Sequence, residues 1–232
     1  MAPRVGSRRK SFKTLQPRVL NAGVFNGFPP FVWGKNEVVG NDIALLRDFA
    51  AVHKLELAIT IFPFMGIWDL PARDVVDVAA SGISLTSARR TTGSYWSLPY
   101  GRVSRSALIR ADDSLKGYGD FKSFSVIGES IAHSHAVRHL HGKATLNFIP
   151  SIEHGVESLL RGKTDAVGTG SVSAIHQASR DERLKVLDLQ ADEDEPELIS
   201  FSLRREKALR DSINDFIILR GENILIDDQK DR

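Results

Sequence analysis

Eight consecutive residues, Gly82-Ile83-Ser84-Leu85-Thr86-Ser87-Ala88-Arg89, hold the groups that an anion site needs. A glycine lets backbone come close to a ligand. Ser84 offers a hydroxyl beside its amide, and Thr86 suits the start of a helix whose free N–H groups favour negative charge. Arg89 supplies a planar fork that can hold a carboxylate through two parallel hydrogen bonds. Arg90 stands next to it as a possible substitute. Such a site binds its ligand, and no covalent step is needed.

A second group of chemically capable side chains is His133, His135, His139 and His141. His135 and His139 fall at the i,i+4 spacing that can clip a metal from one helical face. No carboxylate or cysteine stands at a familiar ligand spacing with them, so solvated histidines on a helix are the plainer reading, with a pH-dependent contact as a softer one. No metal site and no cofactor is expected.

The elements that must position these residues belong to a chain of 232 residues, 42% apolar, with a net charge of +2. That size suits two lobes, each with a core. The basic residues are spread, so nothing points to nucleic acid. The absence of cysteine excludes disulfides, thiolate metal sites, a cysteine nucleophile and a lipidated cysteine anchor. No window approaches the roughly 18 consecutive apolar residues of a spanning helix. The basic stretch with Arg4, Arg8, Arg9, Lys10 and Lys13 lacks the apolar core of a secretory signal, and residues 1–17 read as a disordered tail.

From residue 18 onward, short β-branched runs alternate with amphipathic segments, the pattern of an α/β fold with largely parallel sheets. Strands are expected at 18–25, 55–62, 75–80, 103–110, 124–128, 145–149, 165–168, 185–189 and 198–203. Helices are expected from Asn41 or Asp42, at 66–72, at 132–141, 152–161 and 171–179, and at 205–219. The acidic run 191–197 reads as a solvated loop.

The Gly82-to-Arg89 segment, followed by Trp96-Ser97-Leu98-Pro99-Tyr100, resembles the G-x-[ST]-x-T-x-x-R and F-S-x-P-Y signature of bacterial extracellular solute-binding proteins of family 3, the polar amino acid receptors of ABC transporters. Phe28-Pro29-Pro30-Phe31 is similar to that family's aromatic turn, Gly40-Asn41-Asp42-Ile43 to its helix start, and Leu160-Arg161-Gly162-Lys163-Thr164-Asp165-Ala166-Val167 to its L-x-x-G-x-x-D-A-V segment. These motifs are colinear from about residue 18 to the C-terminus.

The resemblance implies a two-lobed α/β fold of the type II periplasmic-binding-protein kind, with a hinge of crossing strands near 101–105 and 195–200. Lobe 1 would comprise 18–102 plus 198–232, and lobe 2, inserted, 103–197. It further implies a periplasmic monomer that binds an amino acid or related organic acid and docks to a membrane permease or sensor. Arg89 would hold the ligand carboxylate and Phe28 would present a ring at the cleft mouth, supported by Phe31. Gly82, Ser84, Thr86, Glu129, Ser130, Thr169 and Gly170 complete the expected ligand set.

Two departures bear on the ligand. Relatives carry an acid about five positions beyond the D-A-V aspartate to hold the ligand ammonium, whereas this chain reads Gly168-Thr169-Gly170-Ser171. Where relatives carry a glycine-rich turn, this chain has Gly128-Glu129-Ser130, and Glu129 could replace the missing acid. A dehydratase of the cyclohexadienyl type, with Glu129 or His133 as general acid, is the competing function, and a ligand-sensing domain is a third.

Overall fold

The computed structural model describes residues 11–190 and 195–220. The chain opens with β1 (Val19–Val24), α1 (Asn41–His53), β2 (Glu56–Ile61), β3 (Val78–Ala80), the single turn α2 (Ser87–Arg90) and β4 (Tyr95–Trp96). A short strand β5 (Gly101–Val103) leads out of this lobe. The second lobe runs β6 (Arg105–Arg110), β7 (Ser123–Val126), α3 (Ile131–Leu140), β8 (Thr145–Phe148), α4 (Ile152–Leu160), β9 (Ala166–Gly170), α5 (Ser171–Ala178) and β10 (Leu184–Asp188). β11 (Glu197–Ile199) returns the chain, and β12 (Ser202–Leu203) and α6 (Lys207–Arg220) finish the first lobe.

Each lobe is built on its own five-stranded sheet, in the orders β2-β1-β3-β12-β4 and β10-β6-β9-β7-β8. In the first, β1 runs parallel to β2 and β3, with Ala22 opposite Val78, and β12 closes the sheet antiparallel to β3 and β4. In the second, β7 is parallel to β8 and β9, while β6 is antiparallel to both β9 and β10. Between them β5 and β11 form a two-stranded antiparallel ribbon, Gly101 opposite Ile199 and Val103 opposite Glu197. The fold is two-lobed α/β of the type II periplasmic-binding kind.

The sheets are apolar because helices cover them. Leu20, Ala22 and Val24 of β1 and all of β3 are buried against Ile43, Leu46 and Phe49, the inward stripe of α1. The second lobe adds a core around Phe121, Phe124, Val126 and Ala136.

Several segments differ from the pattern read along the chain: the run 66–72 is two single 3-10 turns, Ile67–Asp69 and Pro71–Arg73, and the run 75–80 narrows to Val78–Ala80. The run 198–203 is two strands, because the chain leaves the hinge ribbon and bends at Ser200, whose N–H donates to the Ile83 carbonyl, before entering the first sheet. The run 103–110 is likewise broken at Ser104, whose N–H donates to the Ser171 hydroxyl at 3.1 Å. Residues 11–17 are docked rather than free: Phe12 stacks on Phe49, and the Leu15 N–H donates to Asp77. Residues 1–10 of the expected tail, and 191–194 of the acidic run, lie outside the described residues.

The lobes meet face to face. The Ile152 N–H donates to the Gly27 carbonyl at 3.0 Å, and Trp33 and His176 pair their rings at 5.3 Å. A Cβ at Gly27 would come within 2.8 Å of Ser151, so this approach requires glycine. Among the described residues no helix is long and apolar enough to cross a membrane.

Candidate functional site

The site is built from the loop after β3. Ser81 ties that loop to the end of β1: its hydroxyl accepts from the Phe25 N–H at 2.8 Å and donates to the Phe25 carbonyl. Gly82 follows at φ 59°, and a Cβ there would meet the Phe31 ring at 2.6 Å, so this position admits only glycine without displacement. The loop then lies along the hinge, with the Leu85 N–H on the Leu198 carbonyl and Ser84 bridged to Ile199.

Asp42 holds Gly82 in place. The sequence suggests Asn41 or Asp42 as the cap of α1, but the helix begins after Gly40, and the carboxylate of Asp42 accepts the Gly82 N–H at 2.8 Å instead. The amides that a cap would have served go to the aromatic turn: Asn41 donates to the Pro30 carbonyl and Asp42 to the Phe31 carbonyl. Burial raises the Asp42 carboxyl from 3.8 to about 7, against the lowering effect of the Gly82 amide and the neighbouring Tyr100 hydroxyl.

The native state therefore keeps the Asp42 proton after the unfolded chain has lost it. Stability is greatest below pH 4 as far as this group is concerned, and it falls as pH rises from about 4 to about 7. At about 1.4 kcal/mol per pH unit the loss is at most on the order of 4 kcal/mol. Urea unfolding at pH 5 and pH 8 should show the parent losing more stability than Asp42→Asn over that interval; equal losses would refute a buried, neutral Asp42.

Arg89 stands at the C-terminal end of α2, whose cap Thr86 accepts the Arg89 N–H on its hydroxyl at 3.2 Å. Only 5% of the arginine is exposed. Its guanidinium lies over the Trp68 ring at 3.9 Å, Nη1 donates to the Ser84 carbonyl at 3.0 Å, and Nη2 reaches across the cleft to the Glu129 carbonyl at 2.8 Å. Stacking on the indole and the bond to the Ser84 carbonyl, both within the first lobe, orient it independently of the second lobe. Burial lowers its pKa to about 10, partly offset by Glu197 and Glu129, so it remains a cation at neutral pH.

The second lobe contributes the first turn of α3. The Ser130 hydroxyl caps that helix, accepting the His133 N–H at 3.1 Å, and Ser130 itself is buried at the cleft. Arg105, at the head of β6, is buried too and pairs with Glu197 of β11 at 2.6 Å.

Between the lobes these residues enclose a cavity of about 20 Å³, room for about one water molecule. Phe28, Phe31, Phe64, Val103, Ile131 and Ile199 form its apolar wall, and Ser84, Arg89, Arg105 and Ser130 its polar one, with Gly82 and Gly170 between them. The lobes thus stand close together around it.

Of the nine residues expected from sequence, Phe28, Gly82, Ser84, Arg89, Ser130 and Gly170 face this cavity. Thr86 acts behind it as a cap. Glu129 is exposed and at φ 57°, and it meets Arg89 through its carbonyl rather than its carboxylate. Thr169 is fully buried, its carbonyl 3.4 Å from Arg105 Nη1. Phe64, Trp68, Arg105 and Glu197 were not anticipated. An arginine just after the crossing, at the head of a strand whose middle is the apolar run Ala107–Ile109, is a usable signal for Arg105, whereas Glu197 sits in an acidic run that reads as solvated.

The histidines lie apart from the cavity. His135 pairs with the Tyr118 hydroxyl at 2.8 Å, and the rings of His135 and His139 lie 4.2 Å apart, tilted by 38°. Among the described residues no group of three or more histidines and carboxylates is placed to hold a metal ion.

The family model of bacterial extracellular solute-binding proteins, family 3, matches residues 20–220. The chain belongs to that family. Solved structures similar to this solute-binding protein include a mutant of ArgBP from T. maritima, at 22% identity over 87% of this chain and 89% of the other, with a TM-score of 0.78. The substrate binding protein of an amino acid ABC transporter is 21% identical over 88% and 95%, with a TM-score of 0.78. The ancestral amino acid-binding protein AncCDT-1, a precursor of cyclohexadienyl dehydratase, is 19% identical over 89% and 91%, also at 0.78. No curated protein sequence matches the chain. At these identities the likeness speaks to the fold, and the solute site of this family member rests on its own residues.

Proposed function

We propose that this solute-binding protein is a receptor that closes on a small carboxylate-bearing molecule, an amino acid or a related organic acid, and presents it to the permease of an ABC-type transporter. It works as a monomer outside the cytoplasmic membrane, where the family's extracellular role places such receptors. The ligand enters the open cleft, docks on lobe 1, and stabilises the closed state through lobe 2.

The observation that carries this reading is Arg89: a buried guanidinium, stacked on Trp68, whose donors face a cavity walled by both lobes. A carboxylate that reaches it gains charge-assisted bonds in a site already shielded from water. The similar structures named for arginine-binding and amino acid transport proteins agree with a ligand of this class.

The similarity to a dehydratase precursor adds prephenate to the compounds worth testing. Among the described residues, the cavity wall holds no carboxylate or imidazole side chain to act as general acid, which favours binding over turnover.

The test is a thermal-shift screen of the purified chain against amino acids, oxo acids, dicarboxylic acids and prephenate, with NMR of each hit after incubation. The expected result is a melting-temperature rise that grows with the logarithm of ligand concentration, with the ligand recovered unchanged. No response to any carboxylate, or consumption of prephenate, would overturn the receptor.

A further inference from the structure

The wall of the cleft carries two guanidinium groups, Arg89 from one lobe and Arg105 from the other, and among the described residues no carboxylate side chain. The acid nearest to it, Glu197, stands behind Arg105. Its Oε1 lies 2.6 Å from Arg105 Nε, and its Oε2 accepts from Arg105 Nη2 at 2.9 Å and from the Ser84 hydroxyl at 2.6 Å. A carboxylate set against one edge of a guanidinium and bonded by a hydroxyl as well is matched in charge and has little capacity left for a ligand cation. Arg89, by contrast, donates to two neutral carbonyls.

Arg105 passes close beside Gly170 on its way to the cavity: a Cβ there would stand 3.3 Å from its Nη2, a tight contact. Beyond its carboxylate a ligand therefore meets Arg105 and the hydroxyl of Ser130, the Ser84 hydroxyl being engaged in donating to Glu197. An ammonium brought here meets a guanidinium and an acid, Glu197, already engaged by Arg105 and Ser84, a desolvation cost with little compensation. An oxo, hydroxyl or second carboxylate oxygen meets N–H groups. Burial lowers the pKa of both arginines, and Glu197 offsets part of that lowering for each.

We propose that Arg105 is a specificity-determining residue, and that the cleft selects small carboxylates bearing an acceptor oxygen in place of an α-ammonium group. This rests on the reading of the cleft as a carboxylate site, and it narrows that reading to oxo, hydroxy and dicarboxylic acids.

Matched pairs test it by calorimetry on the full chain: pyruvate and lactate against alanine, 4-methyl-2-oxopentanoate against leucine, and 2-oxoglutarate against glutamate. The expected result is that, in the pair whose carbon skeleton fits, the oxygen-bearing acid binds at least tenfold more tightly than its amino counterpart. Arg105→Gln should shrink that ratio below threefold, and Arg89→Ala should lose both members. The ranking in the parent protein decides the matter even if Arg105→Gln does not fold. Amino members binding as well or better, still dependent on Arg89, would overturn the selection by Arg105 and leave the carboxylate receptor standing. No binding by any pair, or binding indifferent to Arg89→Ala, would remove the receptor reading and this inference with it.

Discussion

Arg89→Ala is expected to weaken binding of the carboxylate ligand by at least 100-fold, with the fold intact. Two charge-assisted hydrogen bonds of about 1.5–3 kcal/mol each are at stake, and every 1.4 kcal/mol is tenfold in affinity. A guanidinium has five N–H donors, and the bonds to the Ser84 and Glu129 carbonyls take two of them. Others remain for a ligand, and when the lobes part the Glu129 bond is released as well. Removing the side chain also removes a buried charge, so the change in the unliganded protein should stay within about 2 kcal/mol. Arg89→Lys should recover only part of the affinity, since an ammonium cannot match the two oxygens of a carboxylate or stack on Trp68 in the same way. Titration calorimetry with the best ligand from the screen measures both variants; affinity within threefold of the parent in Arg89→Ala would place the anion site elsewhere.

Asp77→Ala should destabilise the protein by about 3–5 kcal/mol, the cost of removing one partner from a buried charged network. Asp77 is fully buried. One oxygen accepts the Leu15 N–H at 2.9 Å and lies 3.4 Å from Arg204 Nε. The other accepts both the main-chain and side-chain N–H groups of Asn21 at 3.0 Å. The carboxylate thus ties together the chain before β1, β1 itself and the segment after β12, and its loss leaves several buried donors without an acceptor. For a protein of this size the loss amounts to about 6–20 °C in melting temperature. Asp77→Asn, which keeps one acceptor oxygen, should cost roughly half as much. A fall of less than about 1 kcal/mol by urea unfolding in Asp77→Ala would show that Asp77 does not hold these segments together.

The same residue shows where linear reading stops. The run 75–80 reads as a buried strand, yet only Val78–Ala80 forms one. A strand pattern registers alternation and burial, but it says nothing of an aspartate whose three donors come from residues 15 and 21 and whose ion-pair partner is residue 204. The part of the expected tail from residue 11 to 17 departs for a related reason: a polar segment has no local signal that Phe12 will stack on Phe49 or that the Leu15 amide will find Asp77. Glu129 shows a third limit. Sequence suggests its carboxylate, but the left-handed backbone at that position leaves the side chain exposed and brings the carbonyl to Arg89.

The chain by itself determined the α/β class and the order of most elements, and it singled out the loop from Gly82 to Arg89, of which Gly82, Ser84 and Arg89 line the cleft. Those properties are local: periodicity fixes which face of a strand or helix is buried, and a glycine, hydroxyls and an arginine at close spacing mark a candidate anion site through their own chemistry. Only the tertiary structure decided which groups share the cleft wall. Arg105 and Glu197 are far apart in sequence, and Glu197 reads as one more solvated acid in an acidic run. They meet because β5 and β11 pair antiparallel at the hinge, with Glu197 opposite Val103 and two residues from Arg105. Strand pairing across an inserted lobe is a long-range event, and the charge balance of the cleft is settled by it.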